Sequence, residues 1–557
     1  MSAASLSSAP SSKAPSNPTT RTPSTPSEVF DDILSSAQPP PTYSQQTWNP
    51  SNPYFPHYHN QNMSSTAITT PPEPLIPPTP ALFTTPPILQ DTLQTHSSKD
   101  QLATAEICMK HLSNPSDPFP ILSRREHIAF LESGILGGQN GKLHRGMVAL
   151  DASRPWIIYW CLQGLASLGV DVGKYRERVI SSLRPLQNAS GGFGGGNGQE
   201  SHITSSYAAV LALAVVGRGD ENGEEGEALE VVDRRTMFHW LHEIKDWESG
   251  GFRVCIGGEE DVRGVYCALV ILALLGLPTS GNLVKGTKEY LGRCQTYEGG
   301  FGATPNGNEA HGGYAFCTLA GLCILGEPAV VLKKYLDMDR LVSWLSARQY
   351  APEGGLSGRT NKLVDGCYST WVGGCWALIE AGINGPQDGN EETLGEKKVV
   401  GSLWSREGLA RYIMNCCQSP KGGLRDKPGK GADYYHSNYI LLGLASTQNY
   451  FYYTSSPIPL SSPPPSSPSN PESGDIPIPL AAPFLWHYSP RIPSNTPNVA
   501  EAIVKDMPAW PDDVTEEDLL PGQEVESDRL KVHHPIFNIP FERAGEIEAW
   551  WKGKMGF

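Results

Sequence analysis

The chain has 557 residues, 49 of them Pro and 57 Gly, and a formal net charge of −15. Much of that charge lies near the two ends, so the middle is mildly acidic and has no basic stripe for nucleic acid. Apolar runs such as 268–275 are far shorter than the roughly 20 residues that a membrane helix needs. We expect no secretory signal either. Eleven cysteines, an odd number in mostly apolar surroundings, favour a reduced, cytoplasmic setting.

Composition divides the chain into four parts. Residues 1–100 are rich in Pro, Ser and Thr and lack apolar periodicity, which predicts a disordered tail. A similar composition predicts a flexible Pro/Ser-rich insertion over 455–495. We expect the folded domain between them, over 101–454, and an acidic C-terminal segment, 496–557, that packs back on it.

A Gly-Gly turn recurs along the middle of the chain, and each turn is followed by an apolar helical pattern. The turns begin at Gly191, Gly250, Gly299, Gly354 and Gly422. Any one of them alone could be an ordinary helix end. Because amphipathic segments alternate with these apolar helices, the pattern predicts an all-α fold, an α/α toroid of the α6/α6 barrel type. The turns would then open around one cavity.

Three residues in these turns are of the types that bind zinc. Asp365 and Cys367 lie just before a helix predicted to begin near Tyr368, and His436 occupies the matching place one repeat later. A helix N-terminus is expected to lower the pKa of a thiol. Carboxylate, thiolate and imidazole suit Zn²⁺ and leave its fourth position open. From the pattern alone, the signal for a metal is weak, and an ordinary buried Cys and a helix-capping Asp are the more common explanation of these residues.

Cations recur at the same place in successive repeats. Arg359 and Lys362 precede the candidate zinc residues, while His311 and Arg263 lie in turns before other apolar helices. With the hydroxyl of Tyr368, they suit a polyanion such as diphosphate. Each cation taken singly could instead be an ordinary solvated charge.

Aromatic residues offer a second feature of the same cavity. Trp156 and Trp160 are four residues apart and share a helix face. Such a pair is usually core, but it could equally line an apolar cavity with Tyr314, Trp371 and Tyr435.

Several blocks, in order along 122–450, resemble the β subunits of the protein farnesyltransferases within the protein prenyltransferase family. They are 150–156 (LDASRPW), 192–196 (GFGGG), 309–314 (EAHGGY), 359–369 (RTNKLVDGCYS), 426–430 (DKPGK) and 433–436 (DYYH). The resemblance implies an α/α barrel and transfer of farnesyl from farnesyl diphosphate to the cysteine thiol of C-terminal CaaX proteins, such as Ras-like GTPases. It also implies an obligate heterodimer with a prenyltransferase α subunit.

The resemblance assigns roles residue by residue. Asp365, Cys367 and His436 match the zinc ligands, and Asp426 matches a position linked to Mg²⁺. The residues matching the diphosphate contacts are His311, Arg359, Lys362 and Tyr368, of which Lys362 and Tyr368 also count as catalytic. Residues assigned to the isoprenoid and peptide are Ser153, Trp156, Trp160, His202, Arg263, Tyr314, Trp371 and Tyr435.

Alternatives remain at this stage. The bulky Trp156 favours farnesyl over the longer lipid of geranylgeranyltransferase type I, whose relatives have a small residue there. Thr204 and Ser205 differ from the usual Ala and Pro of the family, which leaves the preference for the last CaaX residue open. Residues 337–340 fall short of the acidic motif of a triterpene cyclase, and a glycosidase would need two facing carboxylates. A non-catalytic helical scaffold is the more distant alternative.

Overall fold

The computed structural model describes residues 94–112, 120–137, 145–218, 226–279, 282–307, 309–387, 403–455, 480–489 and 529–554. Most of the predicted tail and insertion, and the acidic stretch 219–225, lie outside these ranges. In chain order the helices are α1 (His96–Leu112), α2 (Arg124–Leu136), α3 (Arg154–Ser167), α4 (Arg176–Leu183), α5 (Ile203–Val216), α6 (Arg234–Ile244), α7 (Val262–Leu274), α8 (Thr287–Arg293), α9 (Gly312–Leu325), α10 (Pro328–Tyr335), α11 (Met338–Ser346), α12 (Tyr368–Trp371), α13 (Gly373–Asn384), α14 (Arg406–Tyr412), α15 (Tyr434–Thr447) and α16 (Phe541–Lys552).

Apolar and amphipathic helices alternate along the described chain. The apolar set, α3, α5, α7, α9, α12 with α13, and α15, is buried nearly all round, so these helices form the inner layer. Each inner helix packs on the next, and α15 packs back on α3, which closes the ring. The helices between them, such as α6 and α11, bury one face and form the outer layer. The predicted α/α toroid is confirmed.

A side-chain clamp joins each Gly-Gly turn to the next outer helix. The amide of Gln187 bonds both to the N–H and to the C=O of Asp233, the N-cap residue of α6. The same pair of hydrogen bonds joins Gln295 to Asp337 and Gln349 to Ser405. The amide of Gln418 bonds in a similar way to the N–H of Ser123 and the C=O of Ile121. In the remaining turn, the buried Lys245 takes this place and donates to Thr287 Oγ1 at 2.8 Å. The clamps therefore tie each turn to the start of the outer helix in the next repeat.

The first glycine of each turn is required by both conformation and space. Gly191 has φ +98°, and a Cβ there would lie 2.1 Å from the backbone oxygen of Thr236 in the outer helix. At Gly299, with the same φ, the Cβ would lie 2.3 Å from the backbone oxygen of Arg340. The recurring Gly therefore lets the turn rest directly on the first turn of the neighbouring helix.

The C-terminal segment closes one end of the barrel. Within 529–554, the backbone oxygens of Asn538 and Ile536 accept hydrogen bonds at 2.7 Å from Tyr159 and Tyr266 of the inner layer. The guanidinium of Arg543 pairs with the buried Glu227 at 2.7 Å. Lys531 N–H and Arg543 Nε of the same segment donate to the backbone oxygens of Ser167 and Ala214, in the last turns of α3 and α5, opposite the ends where the Gly-Gly turns lie.

Part of the predicted insertion is ordered against the barrel. Strand β1 (Tyr450–Tyr453) pairs antiparallel with β2 (Trp486–Ser489), with Tyr450 opposite Ser489. Because β2 lies inside 455–495, a flexible insertion over that whole range is too long, and 480–489 belong to the folded body. Helix α1 also begins inside the predicted tail. Among the described residues, no helix is both long enough and apolar enough to span a membrane.

Candidate functional site

The candidate site lies at the end of the barrel where the inner helices begin. His311 is the N-cap residue of α9, Cys367 that of α12, and His436 lies in the first turn of α15. A short hairpin precedes α12: Ser357 and Val364 form an antiparallel bridge, and Asn361 takes a left-handed φ of +59° at its tip. The fold thus gathers turns from successive repeats around one opening.

Asp365, Cys367 and His436 come together at this opening. One ligand atom from each lies within 4.8 Å of the other two. His436 Nε2 is 3.2 Å from Asp365 Oδ1. The backbone N–H of Cys367 donates a hydrogen bond to the same Asp365 Oδ1 at 2.8 Å. Three donors at this mutual distance can surround one ion of the size of Zn²⁺.

The orientation of His436 is the clearest sign of a metal site. Its Nδ1 is 2.7 Å from Asp433 Oδ2, and Asp433 also caps α15 through the His436 N–H. A carboxylate that holds Nδ1–H leaves Nε2 as the ligand atom. That Nε2 is buried and has no hydrogen-bond partner in the described structure. The residues present therefore fit a zinc ion.

The protein groups alone place opposing demands on protonation here. Burial acts to lower the pKa of His436, but Asp365 and Asp433 raise it well above its ordinary value. Burial acts to raise the pKa of Asp365, but His436 and Lys427 bring it below its ordinary value. Burial and the Asp365 charge raise the pKa of Cys367. The expectation that the helix N-terminus lowers the pKa of this thiol is wrong when only the protein groups act on it. A thiolate at Cys367 therefore needs a bound cation.

Asp426 lies beside this cluster without joining it. Its backbone oxygen accepts from Gly366 N–H at 2.9 Å, and its carboxylate is paired with the ammonium of Lys427. Burial and the Asp365 charge raise the pKa of Asp426 to about 6. The group that could hold a metal, within the described residues, consists of Asp365, Cys367 and His436.

His311 and Tyr368 form a polar pair next to the metal cluster. His311 Nε2 lies 3.1 Å from the Tyr368 hydroxyl, while Nδ1 accepts from Gly313 N–H at 3.0 Å. This arrangement places the proton of a neutral imidazole on Nε2. Burial and the charges of Arg359 and Arg263 lower the pKa of His311 to about 3. His311 is therefore a neutral donor at physiological pH.

The two cations of the hairpin differ in their surroundings. Arg359 pairs with Glu309 at 3.0 Å, and both side chains are partly exposed. Lys362 is exposed. On the opposite side of His311, Arg263 Nε donates to Asp261 Oδ2 at 3.1 Å and its guanidinium lies 5.8 Å from the Tyr314 ring centre. The charges of Arg359 and Arg263 thus both act on His311, whereas Lys362 is exposed.

Below the polar rim, aromatic side chains form a closed ring around the inside of the barrel. Adjacent ring centres are 4.4–5.7 Å apart along the whole circuit. The members are Trp156, Trp160, Tyr207, Tyr266, Phe316, Trp371, Tyr435 and Tyr439. Trp371 Nε1 also donates to the Tyr435 hydroxyl at 2.9 Å. Of the residues predicted for this wall, Tyr314 lies instead at the rim, with its ring 5.0 Å from His311.

Two predicted residues lie away from this centre. Ser153 is partly exposed at the start of α3, and His202 caps α5, where its Nδ1 lies 2.9 Å from the Thr204 hydroxyl. Sequence reasoning also missed Asp433 and Lys427 as partners of site residues, and Tyr439 in the ring. The signals were available, since Asp433 has the position of a helix cap and Tyr439 follows Tyr435 by one helical turn.

Comparison with known proteins defines the class first. Residues 122–539 match the family model described as the prenyltransferase alpha-alpha toroid domain. The chain is 42% identical over 503 residues to the protein farnesyltransferase subunit beta of Pyricularia oryzae, covering 86% of this chain and 85% of the relative. The corresponding protein of Schizosaccharomyces pombe is 38% identical over 66% of this chain and 88% of its own length.

A relative with a different lipid matches less of the chain. The geranylgeranyl transferase type-1 subunit beta of Arabidopsis thaliana is 33% identical over 43% of this chain and 57% of its own length. The chain therefore belongs to the protein farnesyltransferase β-subunit family, a family of prenyl transferases.

Proposed function

We propose that this chain is the catalytic β subunit of a heterodimeric protein farnesyltransferase. It would transfer farnesyl from farnesyl diphosphate to the cysteine thiol of C-terminal CaaX proteins, forming a thioether and releasing diphosphate. The observation that carries this proposal is the buried Nε2 of His436, which makes no hydrogen bond and lies 3.2 Å from Asp365 Oδ1, beside Cys367, at the mouth of an aromatic cavity. A metal cluster, a cationic rim and an apolar wall then meet at one opening.

Asp365, Cys367 and His436 would hold one Zn²⁺, which when bound lowers the pKa of a coordinated substrate thiol. Asp433 fixes the imidazole of His436 through Nδ1 and so aims Nε2 at the ion. The burial of Cys367 and His436 excludes water from the cluster. The acceptor thiol would therefore be presented in a fixed place next to the rim.

The rim would bind and stabilise the diphosphate. Neutral His311 and the Tyr368 hydroxyl can donate hydrogen bonds, while Arg359 and Lys362 supply charge. Negative charge builds on the leaving diphosphate as the carbon–oxygen bond breaks, so donors fixed in advance favour the transition state. Arg359 would exchange Glu309 for phosphate oxygens, since that ion pair is partly exposed.

The aromatic ring would enclose the isoprenoid, with Trp156, Trp160, Trp371 and Tyr435 as its wall. Trp156 packs against Trp160 and Tyr207 at ring-centre distances of 5.5 and 5.7 Å and fills space that a longer lipid would need. This favours farnesyl over geranylgeranyl. Ser153, His202, Arg263 and Tyr314 would lie along the peptide.

Further parts of the proposal concern a second metal, partners and location. Asp426 could assist Mg²⁺ together with diphosphate oxygens, provided that Lys427 leaves its carboxylate. The chain would act with a prenyltransferase α subunit on CaaX proteins such as Ras-like GTPases, in the cytoplasm. We propose no role in binding nucleic acid.

The test uses the full chain purified with its α subunit. Labelled farnesyl and geranylgeranyl diphosphates are offered with CaaX peptides, and transfer to the peptide thiol is measured. Preferential farnesyl transfer is expected. A preference for geranylgeranyl would keep the mechanism and reject the lipid assignment. Protein that binds neither diphosphate would reject the enzymatic function and leave a barrel-shaped scaffold.

A further inference from the structure

Helix α1 lies outside the 122–539 family match yet packs on the catalytic barrel. Its buried residues, Thr104, Cys108 and Leu112, follow helical spacing and form one stripe. This stripe rests on α14 and on the π-helical turn that continues it, 413–417. At the interface Cys416 Sγ lies 3.9 Å from the backbone oxygen of Cys108. The helix is therefore docked at a defined register.

Gln101 lies on the same stripe, one turn before Thr104, at the end of α1 nearest the candidate site. Its side-chain amide donates to the backbone oxygen of Lys362 at 3.1 Å. The same Nε2 is 3.5 Å from the hydroxyl of Tyr350. A residue more than 250 positions away in sequence thus reaches the hairpin that bears the two rim cations.

The hairpin is held at several points, and each holds a different part of it. Thr360 Oγ1 donates to Glu298 at 2.6 Å, and Arg359 pairs with Glu309. Both tethers lie before the left-handed Asn361, whereas Gln101 acts after it, at Lys362. Loss of the Gln101 contact would therefore leave the Lys362 side held only by bonds within the hairpin, such as Lys362 N–H to Arg359 O at 3.4 Å, while the Arg359 side keeps its outside tethers.

We propose that Gln101 is a positioning residue for Lys362, so that α1 presets the diphosphate-binding hairpin. This inference rests on the proposed function, because it takes Lys362 as a diphosphate contact. Its consequence is selective. Removing the side-chain amide of Gln101 should affect the use of farnesyl diphosphate. Binding of zinc and of the CaaX peptide should not change, since the zinc ligands and the residues assigned to the peptide lie outside the hairpin.

The test compares Gln101→Met with Gln101→Lys in the purified heterodimer. Methionine keeps the length and helix preference of glutamine but has no N–H donor, whereas lysine keeps a donor that can reach the same oxygen. Leu102→Met is the matched control, because Leu102 is 67% exposed on the adjacent position. Hydrogen exchange over 357–364 is measured without substrate, and steady-state kinetics are measured for both substrates.

Gln101→Met is expected to speed amide exchange in 357–364 and to lower kcat/KM for farnesyl diphosphate roughly threefold to tenfold, the effect of one lost hydrogen bond. The KM for the peptide and the zinc content should not change, and Gln101→Lys should restore most of the loss. Unchanged exchange in the hairpin would overturn the inference whether or not the enzyme transfers farnesyl. Faster exchange with unchanged use of the diphosphate would overturn the link to Lys362, and a wild-type heterodimer without farnesyl transfer would reject the proposed function separately.

Discussion

The two ends of the barrel use polar groups in different ways. At the end that holds the candidate site, charged side chains are paired with neighbours that a ligand can replace, as in Arg359 with Glu309. At the other end, the last turns of α3 and α5 are held by the C-terminal segment: Lys531 N–H donates to Ser167 O at 2.9 Å and Arg543 Nε donates to Ala214 O at 2.8 Å. Polar side chains at the first end can therefore exchange their partners for a ligand, whereas polar groups at the other end keep partners within the protein.

Histidines make the same contrast. His436 has one nitrogen held by Asp433 and a second that makes no hydrogen bond and faces Asp365 at 3.2 Å. At the closed end, His534 Nε2 lies 2.9 Å from the backbone oxygen of Pro483, and its Nδ1 accepts from the N–H groups of Ile536 and Phe537. An unbonded nitrogen alone does not mark a binding site, because His533 Nδ1 at the closed end also makes no hydrogen bond; what distinguishes His436 is that its Nε2 lies beside a carboxylate and a thiol.

The largest effect that we expect from changing a partner concerns Asp433 at the open end. Asp433→Ala removes the carboxylate that holds His436 Nδ1, so zinc affinity should fall about 10-fold to 100-fold. Competition with a chelator measures this affinity. Because Asp433 also caps α15, Asp337→Ala serves as control, since Asp337 caps α11 in the same way through Arg340 N–H at 3.1 Å. Equal zinc loss in both variants would mean that only helix capping was disturbed.

A smaller effect, of about tenfold, is expected from opening the aromatic ring. Trp156→Ala should raise the use of geranylgeranyl diphosphate relative to farnesyl diphosphate, because the cavity becomes longer. Transfer rates with both lipids provide the measurement. Trp376→Ala is the control: it removes another buried indole, on α13 and outside the ring, at a similar cost of about 3–5 kcal/mol. A lipid preference that shifts equally in the two variants would contradict the assignment of Trp156.

The effect with the least influence on the candidate site is a pH dependence of stability at the closed end. Burial lowers the pKa of His533 to about 3 from an ordinary 6.5. Between these two pH values, His533 binds a proton in the unfolded chain but not in the folded chain. The free energy of unfolding therefore falls as the pH drops from 6.5 towards 3. For each such histidine the free energy of unfolding changes by about 1.4 kcal/mol per pH unit.

His533→Gln should flatten this dependence by that amount, as measured by urea unfolding between about pH 5 and pH 6.5. The exposed His239, changed to Gln in the same way, should leave the slope as in the wild type. An unchanged slope in His533→Gln would show that His533 is not buried in neutral form.

The sequence predicts the parts of this molecule that repeat. The Gly-Gly turns and apolar helices predict the toroid, because each repeat carries the same local signal. The clamp of Gln349 is harder to find from the sequence, because its turn has one more residue before the Gly pair than the turns of Gln187, Gln295 and Gln418. The ordered strand β2 was missed because its partner, β1, lies across a Pro/Ser-rich stretch.

The candidate site is predictable to the level of residue types. Asp365, Cys367 and His436 follow from their places before helices, and the structure adds their mutual distance and the role of Asp433. The direction of the Cys367 pKa was not predictable, because it depends on burial and on the adjacent carboxylate. The contact of Gln101 with Lys362 likewise depends on the docking of α1, which no local pattern encodes.

The most direct measurement is the metal content and ligand set of the purified heterodimer, with Cys367→Ala and Cys323→Ala compared. Cobalt replaces zinc for spectroscopy, since a sulfur-to-cobalt absorption band reports a thiolate ligand. We expect one metal per heterodimer, a band that disappears in Cys367→Ala, and farnesyl transfer at least about a hundredfold slower in that variant. Cys323→Ala, which removes another buried thiol, should keep metal, band and transfer. A wild-type protein with no bound metal, or a band that persists in Cys367→Ala, would contradict the central claim.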